Sequence, residues 1–222
     1  MDYSLGGNWS FCVDGKMIVL MDVEANAYLA LPPLLATSFD RLRKGEDPRS
    51  EDTRPLQTLI GAGIITVGSK GSAICPCAIA NPPTSEIEER HLNRPRISDV
   101  LRAAVNLSQM HRALKRKKFS TVIADLDACK KPKSDCGLEI GNRAREIASA
   151  FHWLNTFVTR HDQCLLRSLA MIKSLRMNGV PSTMIFGIAT RPFSAHCWIQ
   201  YQDVVLNDTI EGVRSYIPIL EL

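Results

Sequence analysis

Short alternating runs open this chain, helical spacing fills its middle, and alternation returns near its end. Phe11–Val13, Met17–Asp22 and Ala27–Leu31 have the length and composition of strands, with turns at Gly15-Lys16 and Glu24–Asn26. Pro32-Pro33 stops the third. Leu34, Leu35, Phe39 and Leu42 then recur at helical spacing, predicting a helix over Leu34–Arg43 that Gly45 and Pro48 end. A second helix fits Glu51–Gly61, with Leu56, Leu59 and Ile60 inward, and Ile64–Val67 fits a last strand. Residues 1–67 thus read as a small α/β unit. Its core is too small to enclose a catalytic cleft, but a strand edge beside a helix can accept an extended peptide as an added strand.

Residues 68–96 read as a linker, broken by Gly68, Gly71, Pro76, Pro82, Pro83 and Pro95. Cys75 and Cys77 lie here one residue apart, a poor spacing for zinc. Residues 97–160 read as helical. A helix from Ser98 to about Lys117 would turn Val100, Leu101, Ala104, Val105, Leu107 and Met110 inward, and its basic end suits the helix dipole. Phe119–Ala128 and Glu139–Phe157 are two further helices.

The last third carries the chemistry. Asp162 or Gln163 can cap a helix from Cys164 to about Asn178, with Gly179 as its stop. A thiol in a first helical turn meets unpaired N–H groups and the positive end of the dipole, which favour thiolate. The same N–H groups can hold an oxyanion. Thr183–Ala189 is a strand, and Ala195–Tyr201 and Val204–Asn207 form a hairpin about Gln202-Asp203. Alternation puts His196, Trp198 and Gln200 on one side and Cys197, Ile199 and Tyr201 on the other, so Cys197 points away from His196 and is read as inert. If the helix start packs on the His196 side, thiol and imidazole meet. Asp208 mirrors His196 about the turn and can reach the other ring nitrogen, whereas Asp203 lies at the turn itself. Asn207 would take the orienting role if the register slipped by one. Thiol, imidazole and carboxylate are the parts of a cysteine nucleophile.

Composition narrows the setting. In 222 residues, 45% are hydrophobic and the net charge is +4, a mild excess with no basic face that would argue for nucleic acid. Seven cysteines without regular spacing argue against a disulfide framework. No signal-like or membrane-spanning run occurs, so a cytoplasmic protein with no membrane partner is expected. No P-loop is present, and no cofactor is expected.

The segments CLLRSLAM, GV, FG, RPFSAHCWIQ and VVLND resemble the B protein of lasso-peptide biosynthesis, a leader peptidase. The likeness covers about residues 150–222 closely and the helices from 97 in style. The resemblance implies an α+β chain: a winged-helix-like, PqqD-like domain at 1–67, a linker at 68–96, and a transglutaminase-like, papain-related cysteine peptidase at 97–222. By motif it places the catalytic triad on Cys164, His196 and Asp208. It also implies that the first unit binds the leader of a precursor peptide, with Ala27, Tyr28, Leu29, Ala30, Leu31, Leu56 and Ile60 as the expected surface. Trp198, sharing the face of His196 in the residue pattern, would line the substrate cleft or else serve as a core tryptophan. Leader removal would free the core amine for a partner cyclase resembling asparagine synthetase. An acyltransferase or transglutaminase with the same triad, and a non-catalytic peptide-binding scaffold, are the alternatives.

Overall fold

A computed structural model describes residues 2–68, 73–88, 94–129, 137–155 and 164–222. The chain forms two compact units, Met1–Ala78 and Ile79–Leu222.

In the first unit, β1 (Asp2–Leu5) pairs antiparallel with β5 (Ile65–Gly68), while β2 (Trp9–Asp14), β3 (Met17–Asp22) and β4 (Ala27–Ala30) form a meander. Helices α1 (Pro33–Arg43) and α2 (Thr53–Gly61) pack together against it. Alternation in β2 and β3 sends Phe11, Ile18 and Leu20 inward to Phe39, Leu59 and Ile65. Phe11 and Phe39 meet edge to face at 5.0 Å between ring centroids. Burying side chains of this size contributes about 1.5–3 kcal/mol each. Buried Asp52 clamps α1, taking two hydrogen bonds from Arg41 at 2.8 Å and one from Ser38 at 2.6 Å. The strand β1 was not anticipated; its partner lies some sixty residues away.

The expected linker divides between the units. Ile74 is buried in the first core, and the Cys77 N–H donates to the Phe11 carbonyl at 2.9 Å. Beyond Ala78, β6 (Ser85–Glu86) joins the sheet of the second unit.

That unit sets helices beside a five-stranded sheet of order β10-β7-β8-β9-β6. The sheet comprises β7 (Thr183–Thr190), β8 (Phe193–Tyr201), β9 (Val204–Val205) and β10 (Ile217–Glu221) with β6. Gln202 takes the left-handed backbone the β8–β9 turn needs. Helix α6 (Cys164–Met177) is the hub, contacting α3 (Ile97–Arg116), α4 (Phe119–Asp127), α5 (Gly137–Asn155) and strands β7 and β8. Accordingly Ser168 through Ile172, Ser174 and Leu175 are all buried. Gly179, in the left-handed region, follows the helix as expected.

The inner face of α3 differs from expectation. Asp99, Ala103, Asn106 and Met110 are buried, while Leu101 and Val105 are exposed. Two polar residues tolerate the interior because each is paired. Asp99 receives both guanidinium nitrogens of Arg143 at 2.8 and 2.9 Å, and Asn106 donates to Ser174 at 2.7 Å. No helix among the described residues is long and apolar enough to cross a membrane.

Candidate active site

Cys164 opens α6, His196 lies in β8, and Asp208 follows β9. The proposed helix caps, Asp162 and Gln163, lie outside the described residues. His196 Nε2 hydrogen-bonds Asp208 Oδ2. That leaves Nδ1 for Cys164, with which the imidazole also hydrogen-bonds. The three residues selected from the sequence are thus brought together in one connected set.

The electrostatics favour a thiolate–imidazolium pair. The Cys164 thiol is pulled down to about 4, chiefly by the Cys197 S–H, then by the His196 ring, with the Cys197 backbone N–H adding to both. Burial disfavours charge on His196, but hydrogen bonds to Asp208 and Cys164 outweigh it and raise the imidazole to about 9. Burial likewise works against the Asp208 carboxylate. His196 and the Thr209 N–H, 2.7 Å from Oδ1, more than offset it and hold the carboxyl below its usual range.

Cys197 was misread. Alternation does turn its side chain off the His196 face, and it is buried. Yet α4 and α6 pack on that same face: Phe119 meets Phe186, the cross-strand partner of Cys197, and Ser168 Oγ donates to the Cys197 carbonyl at 3.1 Å. Cys164 therefore arrives beside Cys197 rather than on the His196 side. Its thiolate holds the Cys197 thiol protonated, far above the ordinary thiol range, and burial adds to this.

The opposite face of β8 backs the imidazole. Trp198 stacks on His196 with ring centroids 6.3 Å apart, and Tyr216 lies at 5.1 Å. Trp198 is 1% exposed, packs with Ile185, Val205 and Val213, and donates its indole N–H to Gln200 at 2.8 Å. It is a buried support rather than a cleft lining. Gly187, opposite His196 in β7, must be glycine: an added Cβ would come within 2.8 Å of the Trp198 ring.

Asn207 does not take the orienting role. Its carbonyl oxygen accepts the Ile199 N–H at 2.8 Å and its amide donates to Ser168 at 2.9 Å. It closes the ladder where β9 ends and ties α6 to the residue before Asp208. Just beyond, α7 (Ile210–Arg214) is capped by Thr209, whose Oγ1 accepts the Gly212 N–H at 3.0 Å. A Cβ on Gly212 would stand 2.8 Å from Asp208 Oδ1, so the carboxylate occupies space that only glycine leaves. Ser168, Thr209 and Gly212 carried no periodic signal that could have marked them.

The expected leader-binding residues divide. β4 is one of the two outer strands of its sheet, and Ala27, Leu29 and Ala30 are exposed with Tyr28 half-buried. Ile60 is 38% exposed. Leu31 and Leu56 are instead members of the first core, and are corrected to packing residues. The reason is positional: Leu31 lies past β4, its N–H bonded to the Ile18 carbonyl, and Leu56 is on the side of α2 that packs into the first core.

Among the described residues, no group of three or more His, Cys, Asp and Glu side chains could hold a metal ion. No curated protein and no solved structure matches the chain significantly. Residues 90–221 match the transglutaminase-like superfamily, whose cysteine chemistry accords with this hydrogen-bonded set, and the chain belongs to that superfamily.

Proposed function

We propose that this protein is a leader peptidase of lasso-peptide maturation, cutting a precursor between leader and core. The hydrogen-bonded Cys164–His196–Asp208 set carries the reading, because it supplies a thiolate and an adjacent proton donor at neutral pH.

The steps follow from those groups. The Cys164 thiolate attacks the last leader carbonyl, and backbone N–H groups in the first turn of α6 steady the oxyanion. The His196 imidazolium protonates the leaving amine, and the core departs with a free N-terminus. His196, now neutral and held by Asp208, takes a proton from water as that water attacks the thioester. Leader and thiolate are regenerated separately.

The position of β4 at an edge of its sheet supports leader recognition by strand addition in the first unit. A tethered leader would raise the effective concentration of the scissile bond at Cys164. The freed amine would pass to an ATP-dependent cyclase resembling asparagine synthetase. No cofactor is assigned to this chain.

Membership of the transglutaminase-like superfamily favours a second reading, in which an amine rather than water resolves the thioester. Both share every step up to the acyl-enzyme. Mass spectrometry of a candidate precursor incubated with wild type and with Cys164→Ala tests the proposal, with and without the cyclase. A single cut by wild type alone supports it. Cutting by both proteins, or by neither with the cyclase present, rejects it. A labelled amine appearing on the released leader would favour the transferase.

A further inference from the structure

The catalytic carboxylate sits on a loop the sheet alone does not hold. β9 is two residues long; past it the Leu206 N–H still donates to the Ile199 carbonyl at 2.9 Å and Asn207 accepts the Ile199 N–H, so bonding to β8 stops one residue before Asp208. The neighbouring strand β6 runs parallel to β9, with Ser85 opposite Val204 and Glu86 opposite Val205. It is secured along its length. The Thr84 N–H donates to the Asp203 carbonyl at 2.9 Å, Thr84 Oγ1 bonds the Asp203 carboxylate, and the Ile87 N–H donates to the Val205 carbonyl at 3.0 Å. From this strand the Glu86 carboxylate reaches across and accepts the N–H of Ile210. Ile210 is two residues past Asp208 and is the first residue of α7.

We propose that Glu86 is a positioning residue for the triad, holding from β6 the loop that presents Asp208 to His196. The inference rests on the triad reading above. Asp208 and Ile210 are joined through Thr209, whose own N–H is bonded to Asp208 Oδ1. A bond at Ile210 therefore fixes the direction in which Asp208 leaves the chain. Asn207 anchors the loop on its near side; beyond Asn207, among the described residues, the other side-chain bonds are those the loop makes to itself and to His196. Glu86 lies before the segment matched to the superfamily, at 90–221, so the group that sets the carboxylate comes from outside that segment.

The test is an NMR titration of the His196 imidazole in the full chain, with the resonance assigned by its loss in His196→Asn. Wild type is expected to titrate near 9. Asp208→Asn should lower that midpoint. Glu86→Leu, which removes the acceptor, should lower it by about one pH unit, a tenfold change in the imidazolium fraction. Glu86→Gln retains an amide oxygen for the Ile210 N–H and should titrate as wild type. Ile210→Pro removes the donor instead, at a first helical position where proline fits, and after a residue already extended. It should match Glu86→Leu. Thermal unfolding identifies which variants are folded. A wild-type midpoint in either folded variant, Glu86→Leu or Ile210→Pro, overturns the role of Glu86 while leaving the triad. A midpoint near 6.5 in wild type, unmoved by Asp208→Asn, overturns the triad reading itself.

Discussion

The Cys197 thiol donates a hydrogen bond to the Cys164 thiolate, so that sulfur is held by two neighbours on β8 and not by His196 alone. One residue of that strand presents the imidazole and the next presents a thiol that stays protonated. Because Cys197 is buried and its thiol remains protonated, it lowers the Cys164 pKa without competing as a nucleophile.

Cys197→Ala removes this donor. Hydrogen bonds to charged groups contribute about 1.5–3 kcal/mol. The acid limb of Cys164 alkylation by iodoacetamide should therefore rise by about one to two pH units from its starting point near 4. Site-resolved peptide mass spectrometry across pH 3–10 measures it. An unchanged limb would show that Cys197 only packs.

Activity should follow a bell in pH. Below about 4 the Cys164 thiolate takes a proton, and above about 9 His196 loses the proton it must give the leaving amine. The two limbs belong to the pair as a unit. Asp208→Asn should pull the alkaline limb down, since the carboxylate raises His196 more than Cys164 does. It should also cut kcat by about 10²-fold to 10⁴-fold, because the imidazole loses its orienting partner. A kcat/KM profile over pH reads both effects.

Much of this site was legible in the residues. Alternation in β8 located His196, the mirror relation about Gln202 located Asp208, and the Gly179 stop framed the helix that begins at Cys164. What stayed hidden has no period. β6 is a two-residue parallel strand in a Pro-rich stretch, and β1 depends on a partner distant in sequence. The inner face of α3 was misread because Asp99 and Asn106 look solvent-facing until Arg143 and Ser174 are brought to them. Trp198 was ambiguous for a related reason: only the sheet order shows that the His196 face of β8 is covered by α7 and Tyr216.

Gly212→Ala separates stability from positioning. Alanine favours a helix over glycine by about 1 kcal/mol, while its Cβ would stand 2.9 Å from the Thr209 Oγ1 that caps α7, so the two effects on stability oppose each other. The new Cβ would also press on Asp208 Oδ1. The expected result is a fall in kcat of about tenfold with KM and Tm nearly unchanged, the barrier rising by about 1.4 kcal/mol. Steady-state kinetics beside a thermal melt decides it.

The β4 edge can be probed without disturbing the sheet. The Leu31 N–H bonds to Ile18, and antiparallel alternation then turns the Ala30 N–H away from β3. Ala30→Pro removes that outward donor, and proline is tolerated on an edge strand. For a precursor with its full leader, KM should rise at least severalfold. A short peptide spanning only the cut should be processed as before. Equal effects on both substrates would argue against strand addition at β4.

The most direct test of the account is to look for the leader on Cys164. The full-length protein is mixed with precursor, quenched in acid within the first turnover, and mapped by peptide mass spectrometry. The account predicts a thioester between the last leader residue and Cys164, absent in Cys164→Ala, together with released core carrying a free amine. Core released with no adduct on Cys164, and at the same rate by Cys164→Ala, would contradict it.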